Sequence, residues 1–281
     1  MSEEAKGTIK RLHLVYFSPS GSTEKIVRRV ASGIEGLPVE AHDLLTPASR
    51  KQRYSFGKED LVVFGCITAG KLFTLSDEMF DCLQADGTPF IGVVSYGNGY
   101  YGIALTEMRK RAEARGFKVA ALGAFVARHS IDTSVAASRP DAQDEAIMAD
   151  FGRRAYEKIL GGDCELHQVP GTNWSSWELG NKVIAYREEH PDEPYAIPPS
   201  YKAKAISDAC VKCGTCVRHC PVDAIDIEAR TFDLDKCIGC WGCVNRCPKH
   251  AITSASAEMG EIMKGFAEVA SQTRLEPEVF L

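Results

Sequence analysis

The 281-residue chain is 44% hydrophobic and 25% charged with a formal net charge of −5, a balance that excludes disorder and suits one large or two smaller domains. Residues 1–163 carry 21 basic and 21 acidic side chains, so the negative excess falls on residues 164–281; nucleic acid is a poor partner, and a basic docking face on another protein a better one. The N-terminus lacks the apolar core of a secretory signal and no run of eighteen apolar residues occurs, so a cytoplasmic chain without a membrane span is expected.

In chain order, Leu12–Phe17, Val39–Asp43, Leu61–Phe64, Phe90–Val94 and Val119–Leu122 read as strands, four of them continuous apolar runs. Helical patterning fills the intervals at Thr23–Glu35, Ser76–Gln84, Gly102–Arg115 and Pro140–Leu160. Strict alternation predicts an α/β domain over residues 1–163 with a doubly wound, five-stranded parallel sheet. Its ligand is expected beyond the C-terminal strand ends.

At the first strand–helix junction, Ser18-Pro19-Ser20-Gly21-Ser22-Thr23 gathers hydroxyls and backbone N–H groups at a helix N-terminus. That is an anion cradle, and the absence of Lys or Arg within it suits a single phosphate. An ordinary helix cap would also use Ser and Gly. The pattern is similar to the flavodoxin phosphate signature, matched at Ser18, Ser20, Gly21 and Thr23, with Ser22 inside it, and the resemblance implies FMN. Two further loops continue it: Thr68-Ala69-Gly70-Lys71-Leu72 and Tyr96-Gly97-Asn98-Gly99-Tyr100-Tyr101 occupy the positions that flank the isoalloxazine in flavodoxins. In the second, tyrosine faces and a close glycine backbone suit a flat ring.

Lys71 lies where it could favour a reduced flavin, or be an exposed loop lysine; Cys66, Cys82 and Cys164 read as small apolar fillers. His129, at the end of the fifth strand, faces the ligand crevice, where it could deliver a proton or contact a substrate, or serve structure alone. Pro140, Asp141 and Asp144 fit the first turn of the helix that follows.

Residues 164–206 hold Pro170, Trp174, Trp177, Pro191, Pro194, Pro198 and Pro199 and a helical stretch near Trp177–Arg187. This composition predicts an ordered linker packed along both domains.

Eight of the eleven cysteines then fall within 38 residues, and C-x2-C-x2-C-x3-C-P occurs twice. Three closely spaced thiolates wrap one cubane while the fourth, before its proline, ligates the other. The expected sets are Cys210, Cys213, Cys216 and Cys247 for a first [4Fe–4S] cluster, and Cys237, Cys240, Cys243 and Cys220 for a second. Disulfides and tetrahedral zinc are the alternatives, the former disfavoured in cytosol and the latter by the spacing. Gly214, Gly239 and Gly242 would allow close backbone approach to an inorganic core. Residues 207–255 resemble bacterial two-cluster ferredoxins, which implies a small α+β unit. Residues 256–281 read as a C-terminal helix, Glu258–Gln272, with an extension that caps this unit or contacts a second copy.

With its His129-Ser130 and Arg139-Pro140-Asp141 segments, the chain resembles flavodoxin–ferredoxin fusion proteins of the EFR1-type ferredoxin family, found mostly in anaerobic microbes. The resemblance implies electron transfer between two [4Fe–4S] clusters and FMN, with a ferredoxin-like donor or an acceptor enzyme as partner. An FMN-dependent reductase acting on a small molecule stacked on the flavin is the alternative. No nicotinamide-binding fingerprint is present.

Overall fold

The computed structural model describes residues 9–69, 71–72, 75–190, 193 and 197–281; Gly70, Pro191 and Pro194 lie outside the described residues. The first half alternates β1 (Arg11–Tyr16), α1 (Ser22–Ala31), β2 (Val39–Asp43), α2 (Pro47–Arg50), β3 (Tyr54–Phe56), β4 (Asp60–Ile67), α3 (Ser76–Asp81), β5 (Leu83–Ala85), β6 (Pro89–Tyr96), α4 (Ala104–Ala114), β7 (Lys118–Val126) and α5 (Ala142–Leu160). The second comprises α6 (Glu178–Glu189), α7 (Pro199–Lys202), β8 (Lys204–Ile206), α8 (Thr215–Arg218), β9 (Ile225–Asp226), β10 (Thr231–Phe232), α9 (Gly242–Arg246), β11 (Ile252–Ser254), α10 (Ala257–Ala270) and β12 (Glu278–Phe280).

The main sheet has the order β12-β7-β6-β4-β1-β2. Its apolar runs sit where both faces are covered: β6 is buried throughout and β4 nearly so, whereas edge strand β2 is exposed along most of its length. Helices α1 and α5 pack one face with Ile26, Val30, Phe151 and Ala155, while α3 and α4 pack the other with Met79, Phe80, Leu105 and Met108. The α5 start is fixed by a capping box in which Asp141 and Asp144 satisfy each other's backbone N–H groups.

Three expectations are corrected. The sheet is six-stranded and mixed, because the C-terminal strand β12 returns to pair antiparallel with β7, Val279 opposite Gly123. The tail is thus part of the first domain's sheet as well as a cover for the cysteine-rich unit. The helix expected over Ser76–Gln84 ends at Asp81, since Leu83–Ala85 pairs in parallel with Tyr54–Phe56 as a separate two-stranded ribbon.

The cysteine-rich unit is built twice, 27 residues apart. Left-handed backbone recurs at Lys212 and Gly239, at Gly214 and Trp241, and at Asp223 and His250. An indole in that conformation costs roughly 1–2 kcal/mol. Trp241 is held there by burial and by a 3.1 Å bond from its Nε1 to the Tyr201 carbonyl. Strands β8 and β11 close the unit as an antiparallel pair, and α10 packs on it through Met259, Met263 and Phe266.

Candidate functional site

A cavity of about 300 Å3 opens at the C-terminal ends of the parallel strands. Its floor comes from the loops after β1, β4, β6 and β7, and its roof from Trp177, Val183 and Arg187 of the linker region and Met263 and Phe266 of α10. Tyr201, Gly239 and Cys240 close the remaining side, so the cysteine-rich unit faces directly into it.

Among the expected cofactor residues, Ser20, Ser22, Thr68, Ala69, Tyr96, Gly97 and Tyr100 line this cavity, together with the candidate catalytic residue His129. The loop after β1 is shaped by Gly21, whose φ of 92° turns the chain into α1, and by Ser18, whose Oγ accepts from the Glu24 N–H at 3.0 Å. The first turn of α1 therefore starts beside the cavity, with the positive end of its dipole. Thr23 is fully buried and its hydroxyl bonds Ser95 Oγ at 2.7 Å, which places it behind the loop rather than on the cavity surface.

Several other side chains also turn away. Lys71 is buried against Glu107, Nζ to Oε1 3.5 Å, and Leu72 donates its N–H to the same carboxylate at 2.7 Å. Asn98 binds the Ala270 and Thr273 carbonyls and accepts from the Leu275 N–H, tying the tail to the β6 loop. Tyr101 is 1% exposed and donates to Glu278 of β12 at 2.9 Å. Lys71, Leu72, Asn98 and Tyr101 are therefore placed in the supporting structure, not against the cavity. Gly97 also makes room for a neighbour: a Cβ there would stand 2.2 Å from the His129 ring.

His129 lines the cavity with its ring packed on Phe266, centroids 4.9 Å apart. Its Nδ1 accepts from the Ile131 and Asp132 N–H groups at 3.3 and 3.1 Å, which leaves Nε2 carrying the proton. Burial pushes its pKa down to about 4, against a weaker opposing effect of Asp132. At neutral pH this imidazole is a hydrogen-bond donor and not a proton reservoir. Cys66 and Cys82 are buried, their thiols pushed up by desolvation, and Cys164 is half-buried, the environment of packing residues.

Cys210, Cys213, Cys216 and Cys247 come together around one small cavity with Pro248 on its wall. Cys240 and Cys243 lie within electrostatic reach of Cys220 and Cys237, and burial, the larger effect, pushes both thiols up to about 12. Cys247 thus stands with Cys210, Cys213 and Cys216, and Cys220 with Cys237, Cys240 and Cys243. Matching N–H donors reach sulfur in the two halves, Ala224 to Cys220 at 3.2 Å and Ala251 to Cys247 at 3.3 Å. Lys204 Nζ lies 3.7 Å from Cys237 Sγ. Four soft sulfur donors in each group suit iron–sulfur ligation.

The two groups differ in setting. Cys213 is exposed and Val211 beside it is 59% exposed, whereas Cys240 faces the large cavity. Gly242 packs against Pro19 of the β1 loop, where a Cβ would meet Pro19 at 2.9 Å, so its small size serves this docking. Sequence reasoning also missed Arg246, Trp177, Arg187 and Phe266, which come from segments distant in the chain and carry no local motif.

Residues 202–248 match the family described as a 4Fe-4S dicluster domain, a span that contains all eight clustered cysteines. The C-terminal part of the chain thus carries a ferredoxin-type iron–sulfur domain, whose business is electron transfer with redox partners. No curated protein matches the chain. Among solved structures it is similar to a candidate flavoprotein from Bacteroides uniformis, at 12% identity and a TM-score of 0.29, over 45% of this chain and 95% of that one. Among the described residues no helix is long and apolar enough to cross a membrane.

Proposed function

We propose that this chain is an electron-transfer iron–sulfur flavoprotein that holds two [4Fe–4S] clusters and FMN. The observation that carries the reading is that Cys240, a ligand of the second cysteine set, lines the same cavity as Ser20, Ser22, Tyr96 and Tyr100. When bound, the cubanes supply single electrons and the flavin holds one or two, so together they interconvert one- and two-electron chemistry.

The residues divide the work. Ser20, Ser22 and the first turn of α1 receive the phosphate; Tyr96, Tyr100 and Ala69 offer flat and small surfaces to the ring. The sheet order, with its five parallel strands running β2-β1-β4-β6-β7, supports a flavodoxin-like arrangement in residues 1–163. Cys210, Cys213, Cys216 and Cys247 form the outer site, with the exposed Cys213 and Val211 available to a partner protein. Cys237, Cys240, Cys243 and Cys220 form the inner site. Trp177, Met263 and Phe266 exclude water from the cavity, and the His129 Nε2–H supplies a donor at its wall.

A second reading, reduction of a small molecule, is favoured by one feature: Arg187, 7% exposed, and His129 both face the roofed cavity, where they could orient an anionic substrate. Anaerobic purification with iron, sulfide and FMN quantification tests the main reading. About eight irons, the content of two cubanes, and one FMN per chain are expected; fewer than about six irons, or no bindable FMN, contradicts it. Rapid oxidation of the reduced protein by a ferredoxin-type protein supports the carrier, and oxidation only by small anionic acceptors supports the reductase.

A further inference from the structure

Away from the cavity, on the edge of the sheet, the structure assembles a donor set that the proposed function does not use. In β1 and β2 the register sets His13 beside Glu40, and His42, two residues on, projects to the same side as Glu40. His13 Nδ1 lies 3.0 Å from His42 Nε2, and the Glu40 carboxylate oxygens stand 3.8 Å from each of these nitrogens. None of the three lines the cavity.

We propose that His13, Glu40 and His42 form a binding site for one divalent transition-metal ion of borderline softness, with Zn2+ as its representative. Bonds of about 2.0–2.1 Å to nitrogen and oxygen require ligand atoms roughly 3–3.5 Å apart, so the observed spacings need only a few tenths of an ångström of closure by Glu40. Two imidazoles and one carboxylate select such ions over calcium and magnesium. The set leaves a coordination position for water on the Glu40 side, which is 61% exposed.

The surroundings fit this assignment. His13 is 5% exposed, and its second nitrogen, Nε2, faces the Asp60 carboxylate, with Oδ1 3.4 Å away. Asp60 is itself held by the Gly57 N–H at 2.8 Å and Arg11 Nε at 3.0 Å. A carboxylate behind a ligating imidazole fixes the tautomer that presents the other nitrogen to a metal. Phe56 packs edge-on to both rings, at 5.0 and 6.0 Å, and Tyr54 to His42 at 5.0 Å, which dries the inner side of the set. The bound ion ties edge strand β2 to β1 and, through Asp60, to β4. The competing account is a direct His13–His42 hydrogen bond that needs one ring proton on the line between them, and a metal would displace that proton.

The test uses the anaerobically purified, cluster-loaded full-length protein, whose clustered thiolates are occupied by iron. After dialysis against micromolar Zn2+ and desalting, one zinc per chain is expected by elemental analysis. A rise in thermal midpoint over the chelator-treated sample is expected as well. His42→Ala and Glu40→Gln, both outside the deep core, are expected to lose zinc and the rise while keeping iron and the chelator-treated midpoint. Asp60→Asn is expected to weaken binding about tenfold. Wild type free of zinc overturns the proposal, and so does zinc bound equally by wild type and the two variants.

Discussion

Arg246 reaches from between two cluster cysteines to the loop that follows the first strand, where its Nε donates to the Pro19 carbonyl at 2.6 Å and its Nη2 to that of Ser18 at 2.9 Å. Gly21, the left-handed residue of that loop, lies beside the same guanidinium. The cation missing from the loop sequence is thus brought in from the cysteine-rich unit. Arg246→Ala should weaken FMN binding by about 1.5 kcal/mol, the scale of a hydrogen bond to a charged group, or roughly tenfold in Kd. Flavin fluorescence titration measures it; an unchanged Kd in a variant with full iron content would show that the contact holds the domains without serving the flavin.

Ser20 and Thr23 should separate. Ser20 lines the cavity, so Ser20→Ala should raise the Kd for FMN with little change in stability. Thr23→Ala leaves the buried Ser95 hydroxyl without its 2.7 Å partner and should cost about 1–3 kcal/mol of stability. Denaturant melts of the two variants, run beside the titrations, distinguish them.

His129 makes a pH prediction with a definite sign. Its folded-state pKa is about 4, below the unfolded value near 6.5, so the unfolded chain binds the extra proton between these values. The imidazole therefore contributes stability above about pH 6.5 that is lost as pH falls towards 4. His129→Gln should show a flatter decline over this window than wild type. Parallel curves would contradict the half-buried, neutral imidazole.

Phe266 packs between the rings of His129 and Trp177, at 4.9 and 5.3 Å, on the roof of the cavity. Phe266→Ala should cost about 3–5 kcal/mol and admit water to the cavity. Faster quenching of bound flavin by iodide, compared with wild type, is the expected readout.

Legibility followed the range of the interaction. The strands and the doubled cysteine motif are read from spacing a few residues long, and the backbone carries a matching repeat at 27 residues. Arg246 and Pro19 are 227 residues apart, and no local pattern announces their contact. The tyrosine loop shows the same limit: Tyr100 and Tyr101 are equivalent by composition, yet one faces the cavity and the other donates to Glu278 on a strand formed by the last residues of the chain. Strands β3 and β5, three residues each, are too short for periodicity to register.

The most direct test of the account compares Cys220→Ala with Cys210→Ala in anaerobic stopped-flow reduction of the bound flavin by an external one-electron donor. Each variant should lose about four of eight irons, one cubane, although both cysteines belong to the first motif. In the proposed assignment Cys220 serves the set next to the cavity and Cys210 the outer set, so Cys220→Ala should slow flavin reduction far more than Cys210→Ala. Equal rates, or the reverse order, would contradict the claim that the Cys237, Cys240, Cys243 and Cys220 site is the one next to the flavin.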